Sequence, residues 1–417
     1  MAGVLAGPAG AAEADAQFEE LRRELEALRQ KLQALEAVKA RVEELERRLS
    51  RKEAERVTPV RDEPAVDEAP AERPFHVGGA LRFNYFWKDY DTDSEAKRGD
   101  LGLDLFRVNV DGESDGVQVS AEYRFYPYMD ALHHGWIGFR PSASDRVQVG
   151  VSKVPFGLLP YAAHSYWFGM PYYLGLADDY DAGVKYRRND GPWQTQVAFF
   201  KNDELGDGSD LDRISYDAAA VGTARNEETN SVAARLAYTV NPGGECSHEL
   251  GLSGQGGELY NLDTERTGDR WAAALHLDSR CGRWNGQLEL GRYRYNPEHP
   301  AGVGDRTVTL GGFAASHAVA AEGTFAVANL AYNVPVEGPR LKLLTCYNDF
   351  SVLDKEPERF DNSYLNTTGC VAQIGPTYTY LDLIHGRNAL YLGEGSLAGG
   401  GSDDWERRLN INIGYYW

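Results

Sequence analysis

The amino-acid sequence predicts an all-β protein, a transmembrane antiparallel β-barrel of about 16 strands preceded by a short α-helical coiled coil. Three observations predict this fold. Apolar and polar residues alternate with period two in a long series of segments after residue 75. Short, turn-like connections alternate with long ones between these segments. A leucine-rich stretch with coiled-coil spacing precedes the whole series.

The composition limits the functions that the chain can have. The 417 residues include 45 Gly and 24 Tyr but only 3 Met, and the mean hydropathy is -0.49. No apolar run is long enough for a membrane helix, whereas a barrel dilutes its lipid-facing residues with alternating polar ones. The formal net charge of -20 argues against nucleic-acid binding. The sequence has no zinc-ligand spacing, phosphate-binding glycine loop or nucleophile elbow, so we predict neither a cofactor nor enzyme activity.

The region before the barrel divides into three parts by composition. Residues 1–14 resemble the end of a secretory signal peptide, with an apolar stretch before an Ala-x-Ala-like cleavage site, and a plain Ala-rich terminus is the alternative. Residues 15–50 have leucines three and four apart, which predicts a self-associating coiled coil with one phase slip. Residues 51–74 are rich in Pro, Glu and Asp, which predicts an extended acidic linker. The barrel is predicted over residues 75–417.

The strands are predicted from alternation. In the final segment Leu409 and Ile411 lie on one face, whereas Asn410 and Asn412 lie on the other. In the second segment the alternation changes phase at Phe106, which predicts a β-bulge. The predicted strands lie near 77–87, 101–110, 117–125, 133–140, 145–152, 181–188, 193–201, 230–240, 247–257, 269–279, 285–295, 321–333, 340–352, 367–374, 376–385 and 405–417.

The lengths of the connections favour a membrane barrel over a soluble sheet. The short connections are turns by residue type and lie near 112–115, 141–144, 189–192, 241–244, 280–283 and 335–339. We predict that the long connections fall strictly between them, as in a barrel with periplasmic turns on one rim and external loops on the other. Because the first strand follows the coiled coil and leads into a long loop, the coiled coil is predicted to be periplasmic.

One long connection is the best candidate for narrowing the channel. The loop 153–181 is the longest stretch without strand alternation; it is rich in aromatic residues, including Tyr166 and Trp167, and ends near Asp178 and Asp179. A barrel of sixteen strands leaves an aqueous channel too wide to select solutes. We therefore predict that this loop folds inward as a constriction loop. An external loop packed on a neighbouring subunit is the alternative.

Two motifs resemble those of a known family. The order of segments, with a barrel that opens at Val77–Phe83 (VGGALRF), resembles the phosphate-selective (O and P type) outer-membrane porin family. The stretch Gly150–Leu158 (GVSKVPFGL) is similar to that family's G-x-x-K-x-P-F-G-L signature, which leads into the third external loop. The resemblance implies a homotrimer in the Gram-negative outer membrane, in contact with lipids and lipopolysaccharide, that passes small anions or other solutes. Family members that capture phosphate have several basic residues in this loop region, whereas this loop has only Lys153.

Basic side chains are predicted to line the lumen. Alternation places on the inner face Arg82, Arg107, Arg124, Arg140, Lys185, Arg187, Arg235, Lys342 and Arg408. From the loop we add as pore-lining candidates Lys153, Tyr166, Trp167, Asp178 and Asp179. The predicted lumen acids are Asp104, Glu122, Glu249 and Glu289. Pairing of lumen arginines with these carboxylates is an equally good structural explanation for them.

The four cysteines are predicted to form the disulfides Cys246–Cys281 and Cys346–Cys370. An even number of cysteines in an exported chain suggests disulfide bonds. The first pair lies at two neighbouring short turns and the second on consecutive strands. Alternation places Cys346 inward and leaves the face of Cys370 open. Free buried thiols are the alternative.

Together these features predict a trimeric outer-membrane porin for passive diffusion of small hydrophilic solutes, with anions such as phosphate among the candidates. A carbohydrate-preferring porin is one alternative, because the aromatic loop could stack against sugar rings. A barrel-anchored coiled-coil protein that spaces the envelope is another.

Overall fold

The structure is a computed structural model that describes residues 75–417 apart from 337, 339 and 357–359. Sixteen antiparallel strands form a closed barrel in which the first strand pairs with the last. The predicted barrel of sixteen strands is therefore confirmed. The predicted signal remnant, coiled coil and linker lie outside the described residues.

The strands follow one another around the barrel in chain order. The barrel consists of β1 (His76–Lys88), β2 (Asp100–Ser114), β3 (Val117–Phe125), β4 (Asp130–Phe139), β5 (Asp145–Lys153), β6 (Tyr180–Asp190), β7 (Trp193–Asp203), β9 (Asn226–Val240), β10 (Cys246–Asn261), β11 (Arg266–Cys281), β12 (Trp284–Asn296), β15 (Glu322–Asn333), β16 (Leu341–Lys355), β17 (Ser363–Ile374), β18 (Thr377–Arg387) and β19 (Trp405–Tyr416). A separate small sheet consists of β8 (Asp217–Ala218), β13 (Thr307–Gly312) and β14 (Ala315–Ala320). Two short helices are α1 (Thr92–Lys97) and α2 (Met170–Tyr173). In the described part of the chain, neither helix has the length or the apolar run needed to cross a membrane.

Alternation along each strand gives the barrel an apolar outer face. In β1, Leu81 and Phe83 are exposed on the outside, whereas Arg82 between them is buried in the lumen. Nearly every barrel strand contributes to this apolar belt. Its exposed members include Leu81, Leu103, Tyr123, Ile137, Val149, Val184, Phe199, Val232, Leu252, Leu275, Leu290, Leu330, Ile374, Leu383 and Ile413. A continuous belt of this kind is what a transmembrane barrel presents to lipid.

Aromatic pairs flank the apolar belt. Near the rim of short turns, Trp193 packs on Tyr238 and Trp284 packs on Tyr332, each with ring centroids 4.6 Å apart. Near the rim of long loops, Trp405 is an exposed aromatic residue at the start of β19. Aromatic girdles at both edges of an apolar belt are typical of membrane barrels, because amphipathic rings favour the lipid–water interface.

The phase change in β2 is a β-bulge, as predicted. Arg82 lies opposite Leu105 and Phe83 lies opposite Leu103, so Asp104 is the extra residue on β2. At the bulge both Asp104 and Leu105 face inward, and Oδ2 of Asp104 lies 2.9 Å from Nε of Arg82.

The predicted strict alternation of short and long connections is wrong on the loop rim. Residues 126–129 join β3 to β4, and residues 262–265 join β10 to β11, so both connections are as short as turns. The second is short because the β10–β11 ladder continues as far as the pair Asn261 and Arg266. The strands themselves therefore occupy residues that the sequence assigned to a loop.

Both predicted disulfides are confirmed. Cys246 and Cys281 are register partners at the ends of β10 and β11 near the turn rim. Cys346 and Cys370 are register partners within β16 and β17. The inward placement of Cys346 is wrong: the adjacent Tyr347 is buried in the lumen, so alternation turns Cys346 to the outer face.

Replacing Leu252 by Arg tests the apolar belt. Leu252 lies in the middle of β10 with 54% of its side chain exposed. We expect Leu252→Arg to lower the free energy of unfolding in phosphatidylcholine vesicles by about 2–4 kcal/mol, because the guanidinium would face hydrocarbon. Urea unfolding followed by tryptophan fluorescence measures the change. Ala301→Arg, at an exposed position between β12 and β13, is the control and should change it by about 0.5 kcal/mol or less. Equal effects of both substitutions would contradict a lipid-facing belt.

Candidate functional site

The segment 154–179 between β5 and β6, which we name the inner loop, crosses the lumen. Most of its residues are buried. The N–H of Gly157 donates to Oγ of Ser253 on β10 at 2.9 Å, and the N–H of Leu158 donates to Oε2 of Glu289 on β12 at 3.0 Å. The loop thus reaches β10 and β12, the third and fifth strands round the barrel from β6.

Two glycines of the motif GVSKVPFGL allow this entry into the lumen. Gly150, in β5, has φ 128°, and a Cβ there would lie 2.3 Å from the carbonyl oxygen of Gly135 on the neighbouring strand. Gly157 has φ 59°, and a Cβ there would lie 2.3 Å from Oε1 of Glu289. Side chains at either position would clash, so both positions require glycine.

Asp349 on β16 anchors the middle of the inner loop. Its Oδ2 accepts hydrogen bonds from the N–H groups of His164, at 2.6 Å, and Ser165, at 2.7 Å. Its Oδ1 lies 2.8 Å from Nδ1 of the His164 ring, and the other ring nitrogen lies 2.7 Å from Oδ1 of Asn285. Charge-assisted hydrogen bonds are stronger than neutral ones, so this carboxylate, with three nitrogen atoms of the loop around it, is a strong anchor.

The next residues of the loop contact a different part of the wall, on β18, β2 and β19. The N–H of Tyr166 donates to Oδ2 of Asp382 on β18 at 3.2 Å, and its hydroxyl donates to Oδ2 of Asp104 on β2 at 2.8 Å. The guanidinium of Arg408 on β19 lies 4.4 Å from the ring centroid of Trp167, a cation–π contact. The inner loop is therefore held from several sides of the barrel.

A lysine joins the two ends of the inner loop. Nζ of Lys153 lies 2.6 Å from Oδ1 of Asp178 and donates to the carbonyl oxygen of Pro160 at 3.1 Å. Nζ of Lys185 donates to the carbonyl oxygen of Lys153 at 2.9 Å. Lys153 and Lys185, both predicted to line the pore, thus hold the base of the loop.

Arginines and carboxylates alternate on the wall formed by β1, β2 and β3. Nε of Arg82 lies 2.9 Å from Asp104, Nη1 of Arg107 lies 3.3 Å from Glu122, and Nε of Arg124 lies 2.6 Å from Glu122. This wall therefore pairs three guanidinium groups with two carboxylates. Ion pairing takes up most of the positive charge that the sequence places on the inner face.

A cavity of about 420 Å³ lies between this wall and the inner loop. Eleven of its sixteen lining residues are aromatic. They come from the wall, the inner loop and four other connections: Arg82, Asp104, Arg124, Tyr126, Tyr128, Tyr161, Tyr166, Trp167, Phe168, Tyr172, Tyr173, Asp178, Tyr216, Phe313, Ala315 and Tyr391. The cavity thus combines aromatic rings and phenol hydroxyls with a few paired charges.

The structure brings five of the predicted pore residues together around this cavity. They are Arg82, Arg124, Tyr166, Trp167 and Asp178. The others lie elsewhere: Arg107, Lys153 and Lys185 at the ion pairs and hydrogen bonds just described, and Arg140 and Arg187 near the turn rim, beside Glu113 and Asn189. Asp179 is buried outside the cavity lining. Lys342 is exposed at a bulge at the start of β16, and Arg235 is buried against Glu249.

Several functional residues were missed by sequence reasoning. Asp349 and Asp382 hold the inner loop. Each lies at an inward-facing position of an alternating strand, between apolar or outward-facing neighbours, and this alternation is a signal that could have found them. Tyr128, Tyr216 and Tyr391 line the cavity from separate connections. These loops have no periodicity, so no sequence signal relates them to one another.

A group of buried acids lies at the end of the inner loop. Asp179, Asp181 and Asp217 each present a carboxylate oxygen, and these oxygens all lie within 4.8 Å of one another. Burial, together with the nearby charge of Glu228, raises the pKa of Asp179 well above its ordinary value. Burial and the charge of Asp179 do the same to the pKa of Asp217. Such a set of oxygens is suited to a hard metal ion.

The barrel resembles solved outer-membrane proteins in fold. The outer membrane channel DcaP of Acinetobacter baumannii aligns with 84% of this chain and 99% of its own at 10% identity and a TM-score of 0.54. OmpT, an outer membrane protein of Vibrio cholerae, in its trimer form, aligns with 82% of this chain and 99% of its own at 12% identity and a TM-score of 0.52. An anion-selective porin from Comamonas acidovorans aligns over the same shares at 15% identity and a TM-score of 0.51.

No protein-family model and no curated protein sequence matches this chain. The solved structures share its barrel fold at identities too low to show more than the fold. The resemblance of the two motifs to the phosphate-selective porin family therefore stays a prediction.

Replacing Asp349 by Asn tests the anchor of the inner loop. The substitution keeps the shape of the side chain but removes its negative charge, which the backbone N–H groups of His164 and Ser165 and Nδ1 of the His164 ring contact. Hydrogen bonds to a charged group contribute about 1.5–3 kcal/mol each, so we expect the amides of residues 157–168 to exchange about tenfold faster or more. Hydrogen–deuterium exchange measures this. Asp354→Asn, at an exposed position of the same strand, is the control. Unchanged exchange in Asp349→Asn would contradict the anchoring role.

Acid should loosen the contact between β14 and α2. His317 lies with Nε2 2.9 Å from the carbonyl oxygen of Tyr173, and burial lowers the pKa of His317 to about 4. Because this pKa lies below the ordinary value of 6.5, the contact is most stable above pH 6.5 and weakens as the pH falls towards 4. Hydrogen exchange of β13 and β14, corrected for intrinsic rates, should therefore quicken between pH 7 and 5. His317→Gln should remove this pH dependence, and an equal dependence in that variant would contradict the assignment.

Proposed function

We propose that the chain is an outer-membrane porin, a homotrimer that lets small hydrophilic solutes diffuse passively through its lumen. The observation that carries this proposal is the combination of an apolar belt outside with a charged, hydrogen-bonded lumen inside one closed barrel. A soluble barrel would place its apolar side chains inward and its charges outward. The inversion fits a protein whose outer solvent is lipid and whose inner solvent is water.

The orientation follows from the two rims. Membrane barrels carry their short turns on the periplasmic side, so the turn rim and the predicted coiled coil, residues 15–50, belong to the periplasm. The loop rim then faces the cell exterior, and lipids and lipopolysaccharide surround the belt. The trimeric assembly is supported by the trimer form of the Vibrio cholerae protein that shares the fold.

The inner loop is the proposed constriction. It crosses the lumen between Lys153 and Asp181, and it leaves the cavity beside the wall of β1, β2 and β3. Solutes that pass this cavity meet aromatic rings, phenol hydroxyls and the ion pairs of Arg82 and Arg124. A passage of this kind admits small polar solutes and excludes large ones.

The ion pairs favour a weakly anion-selective channel over one that captures phosphate. Phosphate capture needs several basic groups directed at one anion. In this lumen Arg82 faces Asp104, while Arg107 and Arg124 share Glu122. Because each of these guanidinium groups already faces a carboxylate, the wall suits a weak bias among small ions, which we propose to be towards anions, and not a dedicated phosphate site. The anion-selective porin that shares the fold is compatible with such a bias.

Reversal potentials in planar bilayers under a KCl gradient test the channel and its wall. We expect the purified protein to conduct with a weak anion preference. Arg107→Gln should shift the reversal potential towards cations, and Glu122→Gln should shift it towards anions, because the field in the lumen follows the wall charge.

Arg188→Gln removes the same charge near the turn between β6 and β7, where Arg188 is exposed, and should change the reversal potential least. Shifts of the two wall variants in the same direction would contradict the charge assignment. Folded protein without any conductance would contradict the channel and favour the envelope-spacing alternative.

A preference for carbohydrates is the second candidate function, and the aromatic lining of the cavity favours it. Sugar rings have apolar faces that pack on aromatic side chains, and their hydroxyls can bond to phenol groups. Tyr128 offers such a surface, because it lines the cavity with 59% of its side chain exposed.

Blocking of the channel current by maltooligosaccharides tests this second candidate. We expect Tyr128→Ala to raise the concentration that blocks half of the current severalfold. Tyr128→Phe keeps the ring and should retain most of the block if stacking is responsible. If no oligosaccharide blocks the current through the unaltered protein, the proposed carbohydrate preference is wrong and only the general porin proposal remains.

A further inference from the structure

A second type of site lies outside the cavity: we propose that Asp179, Asp181 and Asp217 bind a calcium ion. Asp179 is the last residue of the inner loop, Asp181 is the second residue of β6, and Asp217 opens β8 in the connection between β7 and β9. All three side chains are buried, with at most 2% exposed. The proposal concerns metal binding and does not depend on conduction by the barrel.

One carboxylate oxygen from each of the three residues lies within 4.8 Å of the others. Calcium binds oxygen at about 2.3–2.6 Å, so ligands on opposite sides of one ion are about 4.6–5.2 Å apart and other pairs are closer. The three oxygens can therefore reach a common ion. Three aspartates supply up to six oxygens, which matches the six to eight that calcium takes when water completes the shell.

The side-chain oxygens of these aspartates have few hydrogen-bond donors around them. In the described part of the chain no donor makes a close hydrogen bond to either side-chain oxygen of Asp179, to Oδ1 of Asp181 or to Oδ2 of Asp217. The polar groups beside them are the backbone N–H of Tyr180, next to Asp179, and the Glu204 side chain, next to Asp217. The nearest base of Asp217 is Arg213, whose Nη1 lies 3.8 Å from Oδ2. Buried carboxylate oxygens are nearly always hydrogen-bonded or metal-bound, because an unpaired one costs the full desolvation of a charge.

The arginines around the three aspartates form their ion pairs mainly with other acids. Nη1 of Arg213 lies 2.6 Å from Oδ2 of Asp203, and Arg270 forms an ion pair with Glu228. Oε1 of Glu204 accepts hydrogen bonds from the N–H of Ile214, at 3.1 Å, and from the N–H and the hydroxyl of Ser215. Each of the two nearest guanidinium groups is therefore paired with another acid, while Nε of Arg270 has no hydrogen-bond partner among the described residues. The aspartates are left as a buried negative centre that a divalent cation would neutralise.

The chemistry of the ligands favours calcium over other common metals. The set contains carboxylate oxygen alone, whereas zinc and copper sites are built from histidine and cysteine. Magnesium demands near-octahedral geometry at about 2.0–2.1 Å and retains several waters, for which this enclosed cluster is less suited. Because Asp179 and Asp217 belong to different connections, the ion would tie the inner loop to the segment that carries β8.

Calcium titration of lipopolysaccharide-free protein tests the proposal. The full chain is refolded from inclusion bodies into detergent, because lipopolysaccharide itself binds calcium, and is titrated with CaCl₂ by isothermal calorimetry after removal of metal with EGTA. We expect about one ion per chain. Asp179→Asn and Asp217→Asn should each weaken binding about tenfold or more. Asp212→Asn, an exposed carboxylate in the same connection as Asp217, should leave it unchanged.

Hydrogen exchange of the unaltered protein locates the ion without any substitution. Calcium should slow exchange in peptides that cover residues 176–183 and 214–220, and not in peptides confined to residues 207–212. Absence of calcium binding by the unaltered protein would overturn the proposal, and the acids would then share protons instead. Binding that is unchanged in both folded aspartate variants, or protection elsewhere only, would also overturn it. Conductance is not measured, so either result leaves the porin proposal to its own test.

Discussion

Closure of the hydrogen-bond ladder is the constraint on which the rest of this structure depends. In hydrocarbon no water is available to a backbone N–H or C=O, so a sheet that meets lipid cannot keep a free edge. Here β1 pairs with β19, from Ala80 and Tyr416 onwards, and every other barrel strand lies between two neighbours. Once the ladder is closed, each strand must have one face for lipid and one for the lumen, and the period-two pattern of the sequence follows from that requirement.

The number of strands creates the second problem that the fold solves. A closed ring of sixteen strands is wider than its own side chains can fill. The inner loop takes up this space, and polar side chains of the wall hold it: Ser253 and Glu289 near its start, then Asp349 and Asp382. The lumen is therefore packed by a loop on one side and left as a cavity on the other. Its acids and arginines serve mainly to position this loop and one another.

Features of the fold that depend on adjacent residues could be predicted from the sequence, whereas features that depend on contacts between distant residues could not. Alternation located all sixteen strands, the bulge near Phe106 and the inner faces of Arg82 and Arg124, because each depends only on adjacent residues. The face of Cys346 was assigned wrongly because a phase error of one residue reverses the face. The contacts of the inner loop and the meeting of Asp179 with Asp217 join distant parts of the chain. Such contacts follow from the closed three-dimensional structure and have no local pattern.

The division of each strand into two independent faces also bears on how such chains diverge. On the belt one aliphatic or aromatic residue can replace another, and at lumen positions that do not hold the inner loop one polar residue can replace another, while the backbone ladder is unaffected. The fold then depends mainly on the alternation of apolar and polar residues along each strand, and much less on which residue of each class stands at a position. This explains how barrels that are 10% to 15% identical to this chain share its architecture. It also means that selection can rebuild the interior for a new solute while the lipid-facing surface drifts freely.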